Sequence, residues 1–186
     1  MRRITRNVTL DSSEPTLRVS YDITNLSGSS GTFDDLRLSQ YIDYDIGAIG
    51  DDAGTYFKDE ERGCEFISQS SSPTGDPIFS GFTGEAFSEN HDLREYGPPD
   101  ADGLSEDNFF NSDTSFNNEN RHPDSGTSDV TLAMEWSLGE LGPGESADLE
   151  TAFVYNPSQQ DFEDQLCAES PSEPAPSPGV RCPHAM

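Results

Sequence analysis

Residues 138–156 read LGELGPGESADLETAFVYN, and with DVTLAMEWS before them they decide the fold. Val130, Leu132, Met134 and Trp136 alternate with Thr131, Ala133 and Glu135, the period-two pattern of a strand with one buried face. Pro143 sets φ and Gly144 permits positive φ, so GPGES turns the chain. Leu149, Thr151, Phe153 and Tyr155 then alternate against Glu150, Ala152 and Val154. The reading is a β-hairpin whose apolar faces need a second sheet to cover them.

Working outward, LRVSYDIT from Leu17 alternates over eight positions, and NLSGSSG ends it with turn formers. The run Ile4, Arg6, Val8 and Leu10 marks a mixed but plausible earlier strand. A further strand is expected from about Leu36 to Ile46, bulged near Tyr41 where the period slips, and TYFKD begins a short one. Residues 63–128 are rich in Ser, Asn, Asp and Gly, punctuated by isolated Phe. A stretch this long is expected to be a loop-rich insertion, with EFISQS and IFSGF as short strands and HDLREYG as a helical turn. The fold class that follows is all-β: one antiparallel β-sandwich over residues 1–156 carrying the 63–128 insertion. Residues 157–186 follow as a short helix, with Phe162 and Leu166 at i, i+4 spacing, and a Pro-rich tail.

The 186 residues carry 36 acids against 10 bases, a formal charge of −26; Lys58 is the one lysine. Disordered chains share high charge and low hydrophobicity, but the clean strand patterns indicate a folded protein. Eleven Phe and six Tyr in a chain only 31% apolar suggest a thin core built on large rings. Self-repulsion of this size opposes compaction. Concentrated salt relieves it, because the screening length falls from about 10 Å at 0.1 M to about 3 Å at 1 M. Scarce lysine and abundant carboxylates resemble haloarchaeal proteins. Nucleic acid is excluded as a partner, since its binding needs basic patches and the one basic cluster is Arg2, Arg3 and Arg6. No run approaches the roughly 20 apolar residues of a membrane span, so no membrane insertion is expected. The start MRRITRNVTL has no apolar segment behind its positive end, so it does not read as a secretory signal.

The order of LRVSYDITNLSG, FDDLRLSQYIDYDIG and the closing LGELGPGES turn resembles a β-sandwich module of prokaryotic surface, secreted or virion proteins. The resemblance spans about 70 of the 186 residues and reports a sandwich rather than a chemistry. It implies a structural or interaction protein of a halophilic particle surface, such as a virion capsid decoration, spike or tail component, partnered by protein subunits of a larger assembly. The alternative it leaves open is a carbohydrate-binding accessory module of a haloarchaeal cell-surface or secreted protein, with surface glycans as partner. Both place the chain on a virion surface or outside the cell.

Candidate sites are few. Asp43, Asp45, Asp51 and Asp52 surround two Gly-rich turns, and hard cations such as Ca²⁺ take oxygen ligands of this kind; the plainer reading is a solvated acidic loop. DADGLSED, residues 100–107, is a second such loop. Phe109, Phe110 and Phe116 are candidates for a partner-binding surface, against a satellite core beneath the insertion. Asn7 and Asn25 head glycosylation sequons. Trp136 reads as core rather than as a sugar platform. His91, His122 and His184 lie in polar loops or the tail, and no GxSxG elbow accompanies them, so the chain does not read as an enzyme. Of three cysteines, either Cys167 and Cys182 pair across a short loop or all remain free. Cys182 and His184 alone do not make a zinc site.

Overall fold

The computed structural model describes residues 2–10, 13–26, 31–44, 46, 52–71, 78–97, 116–122 and 128–170. These form ten strands and one helix: β1 (Arg2–Leu10), β2 (Thr16–Asn25), β3 (Phe33–Asp43), β4 (Asp52–Asp59), β5 (Cys64–Ser71), β6 (Ile78–Gly84), β7 (Asn90–Glu95), β8 (Arg121–His122), β9 (Val130–Leu141), β10 (Ser146–Asn156) and α1 (Gln159–Glu169). Two antiparallel sheets pack face to face, one of seven strands ordered β1-β2-β10-β6-β5-β4-β8 and one of three ordered β3-β9-β7. The fold is all-β and sandwich-like, as the alternating segments require.

The deciding stretch forms both strands but not a hairpin. β9 pairs with β3 and β7, whereas β10 pairs with β2 and β6. The turn, with Gly144 at φ 82°, is an arch that carries the chain from one sheet to the other. The arms face each other across the core instead of sharing hydrogen bonds. Val130, Leu132, Met134 and Trp136 of β9 and Leu149 of β10 are buried there with Ile67, Phe82 and Leu93. Trp136 is core: it is 1% exposed, and its indole N–H donates to the Ala86 carbonyl at 2.8 Å.

Residues 63–128 feed both sheets. EFISQS and IFSGF fall in β5 and β6, at the centre of the large sheet. HDLREYG is no helical turn; residues 90–95 are β7, paired along β9. The strand expected from Leu36 to Ile46 runs from Phe33 to Asp43. Its irregularity lies between Phe33 and Arg37 rather than near Tyr41, with Asp35 at φ 54°. A short acidic side chain tolerates that left-handed conformation.

Residues 116–122 strap one side of the sandwich shut. Asn118 N–H donates to the His91 carbonyl at 3.0 Å, and the Asn117 amide donates to the Leu93 carbonyl at 2.9 Å, both on β7. Three residues on, the Asn120 carbonyl accepts from Tyr56 N–H at 2.8 Å, and β8 pairs with β4. The strap thus uses up the edges of both sheets on that side.

The helix is part of the body. Ser158 caps it by accepting from Asp161 N–H. Phe162 and Leu166 are buried against Cys64, Phe66 and Val154 on the outer face of the large sheet. Gly81 makes room for it: a Cβ there would stand 2.5 Å from the Ile67 carbonyl oxygen and 3.0 Å from the Phe162 ring. Cys64 and Cys167 form a disulfide across 103 residues of sequence. The Cys167–Cys182 pairing is therefore wrong. Sequence proximity favoured the short loop, but the packing of α1 on β5 brings Cys167 to Cys64.

Candidate functional site

Among the described residues, β1 and β3 are the edge strands on the side opposite the strap. The seven-stranded sheet overhangs the three-stranded sheet there, because β9 and β7 sit over β4, β5 and β10. The inner face of the overhang follows from register. Ile4, Val8 and Leu10 lie opposite Ile23, Val19 and Leu17, which in turn lie opposite Ala147, Thr151 and Phe153. Phe153 and Leu149 pack into the core between the sheets, so all these side chains share the core-facing surface. On β1 the side chains are far more open: Ile4 is 56% exposed, Val8 55% and Leu10 71%, and Arg6, opposite Tyr21, lies on the same face between Ile4 and Val8.

The backbone of β1 is open as well. Glu85 N–H donates to the Glu150 carbonyl, so even residues of β10 turn their amides towards β6. Amide direction alternates along antiparallel strands. Odd residues of β10 therefore bond odd residues of β2, and even residues of β2 bond odd residues of β1. Ile4, Arg6, Val8 and Leu10 are left with N–H and C=O groups pointing off the edge. A nine-residue open edge with apolar side chains is a template for another chain. At its far end the overhang runs into a groove of about 870 Å³ between the layers, walled by Leu10, Leu17, Ile42, Ile46, Ile78 and Phe153. The Tyr44 carbonyl at its rim accepts from the Gln69 amide at 2.6 Å.

The electrostatics of β1 are unlike those of the rest of the chain. Residues 2–10 hold three arginines and no carboxylate. Among the described residues, Arg3 and Arg6 have no carboxylate within ion-pair distance. Arg18, by contrast, is paired with Glu169, and Arg37 with Glu135 at 2.7 Å.

A second feature is a buried polar cluster between the layers near the strap. Glu65 is fully buried; its carboxylate accepts from the Tyr56 hydroxyl at 2.5 Å and from the Ser88 hydroxyl and N–H at 2.9 and 2.6 Å. Burial pushes its pKa up, and the Tyr56 and Ser88 hydrogen bonds pull the other way. The Tyr56 ring stacks on His91 at 3.5 Å between centroids, and burial lowers the His91 pKa. The donors around Glu65 all point at it, and it is closed to solvent. The arrangement holds β5, β4 and the 85–88 turn together.

The sequence-expected site residues scatter. Asp43 is exposed at the end of β3. Asp52 is buried at the start of β4, its backbone bridged to Ser128 at 2.9 and 3.0 Å. Asp45 and Asp51 lie outside the described residues, as do Phe109, Phe110 and residues 100–107. Among the described residues no group of three or more His, Cys, Asp or Glu is placed to hold a metal ion. Phe116 is half-buried in the strap. Asn7 is exposed on β1. Asn25 is a correction: it is fully buried, and its amide nitrogen, the atom a glycan would occupy, donates to the Leu141 and Gly31 carbonyls at 2.9 and 2.6 Å. Sequence reasoning passed over the overhang. Its one signal was the union of an apolar alternation with the chain's only arginine cluster in residues 2–10.

Compared with known proteins, the chain matches no family model and no curated protein. Fold and surface are therefore the grounds for a functional reading.

Proposed function

We propose that this chain is a non-enzymatic structural subunit of a larger assembly at a halophilic particle surface, such as a virion capsid decoration, spike or tail component. The carrying observation is the uncovered overhang: an open β1 edge presenting Ile4, Val8 and Leu10 to solvent. Sandwiches cover or blunt such edges; the strap covers the opposite side, whereas β1 keeps three exposed aliphatic side chains beside its arginines. The Cys64–Cys167 disulfide supports an oxidising setting outside the cell. The charge of −26 supports concentrated salt as the working solvent.

The test is sedimentation of the native protein from its source in about 3 M salt, where charges are screened within a few Å. It should travel with a particle far heavier than the 20.3 kDa chain. Recovery as a small free species would overturn the reading.

A further inference from the structure

We propose that β1 takes up one extended segment of a different protein, added antiparallel as a further strand of the large sheet, with an acidic side chain set against Arg6 between apolar side chains set against Ile4 and Val8. This rests on the reading of the chain as an assembling subunit and adds the chemistry of its partner.

The open width is one strand. On β2 the inner face is already closed, with Val19 and Ile23 buried, so a broad covering surface has little to bury there. On β1, Ile4, Val8 and Leu10 stand exposed. The same even-numbered residues turn their N–H and C=O groups off the edge, by the register of β1 on β2 and of β2 on β10. Backbone and side chains are therefore open to contact at the same positions. A strand laid alongside makes hydrogen-bonded pairs with Ile4, Arg6, Val8 and Leu10, and its own side chains at those pairs fall on the inner face. Among the described residues every strand pair of both sheets is antiparallel, and the added strand continues that pattern.

Arg6 sets the identity of the partner. Its neighbours on the inner face are Ile4 and Val8 along the strand, Tyr21 opposite, and Val19 and Ile23 on the diagonals. None of these is an acid, and among the described residues no carboxylate lies within ion-pair distance of Arg6. The counter-charge has to come with the added strand. Opposite charges directly across a strand pair attract, and like charges repel. An antiparallel second β1 centred on Arg6 would bring arginine to arginine. A strand that meets Leu10 first and Ile4 last should instead read apolar-x-apolar-x-acid-x-apolar, its acid opposite Arg6. No stretch of the 186 residues carries that order, which points to a partner of different sequence. Strand addition of this kind takes its affinity from main-chain bonds and its specificity from alternate side chains.

The experiment is fluorescence anisotropy of a labelled, end-blocked peptide, Val-Thr-Val-Thr-Asp-Thr-Val, titrated with the purified full chain in about 3 M salt, which screens the general repulsion between acidic molecules. Saturable binding is expected, weaker by roughly three- to thirtyfold when the Asp of the peptide is replaced by Lys. Arg6→Glu should invert that preference, so that the variant takes the Lys peptide over the Asp peptide. Methylating the backbone nitrogen of the third peptide residue, which faces Val8, should abolish binding; methylating the fourth, whose N–H points away from β1, should spare it. Circular dichroism confirms that the variant stays folded, as the exposed position of Arg6 allows. No binding overturns the inference, as does binding indifferent to Arg6 and to the methylated position. Self-association of the purified chain in sedimentation velocity, abolished by Val8→Asp, also overturns it and makes a second copy the occupant. If the peptide fails but the native protein travels with a particle, the assembly reading stands and the β1 partner falls. If the peptide binds by these rules and the native protein never joins a particle, the reverse holds.

Discussion

Asp92 shows how far a single carboxylate is bent by its surroundings. It sits on β7 beneath the strap, 1% exposed, with Arg94 Nε at 2.8 Å from its carboxylate. Burial pushes its pKa from 3.8 up to about 6, with Arg94 pulling down and Glu119 of the strap pushing up. The folded state therefore binds the proton more readily than the unfolded chain. Stability from this group grows as pH falls through about 6, is complete below 3.8, and is absent at neutral pH. A shift of this size corresponds to about 3 kcal/mol. Thermal unfolding from pH 4 to 7 should show the stability of wild type relative to Asp92→Asn falling as pH rises, with most of the change below about pH 6. Parallel curves for the two proteins would show that the site does not titrate this way. The buried Glu65 carboxyl is displaced in the same direction. Nothing in the spacing of either acid announced this: with 36 acids in the sequence, which of them are buried is settled by which strands stack.

At the scale of elements, the β9–β10 stretch was legible as two strands and a turn, because apolar alternation and the Pro143–Gly144 pair are local signals. Whether the arms hydrogen-bond to each other or oppose each other is not local, since either arrangement buries the same alternate residues. Helix α1 was likewise legible from Phe162 and Leu166, but the layer it covers was not. Its attachment is strong: the aromatic cluster of Phe57, Phe66, Phe79 and Phe162, the Arg18–Glu169 ion pair and the disulfide all bind it to the large sheet. A cross-link closing a loop near 100 residues contributes about 5 kcal/mol by restricting the unfolded chain. The double variant Cys64→Ser, Cys167→Ser, or reduction of wild type, should lower the denaturant midpoint with the strand signal in circular dichroism retained at low denaturant. An unchanged midpoint would mean that α1 is held by packing alone.

The whole molecule carries a charge that composition announces and the fold must accommodate. Among the described residues the ion pairs are few, and most carboxylates face outward, so the native state confines their repulsion to a small volume. Raising salt from about 0.1 M to about 1 M, which shortens the screening length from about 10 to about 3 Å, should raise the melting temperature steeply and monotonically. A melting temperature independent of salt would show that the acidic surface does not oppose folding.

By itself the sequence determined the strand-rich class, the positions of the main turns, the aromatic core with Trp136 inside it, and the strongly acidic charge. Each of these is written in local periodicity, turn chemistry or composition. Tertiary structure decided the rest: that the deciding turn is an arch, that Cys64 rather than Cys182 meets Cys167, that Asn25 is sealed inside, and that β1 overhangs. These depend on which segments, distant in sequence, become neighbours. The alternation in residues 4–10 gathers Ile4, Val8 and Leu10 with Arg6 on one face; whether anything covers that face depends on the relative widths of two sheets assembled from segments distant in sequence.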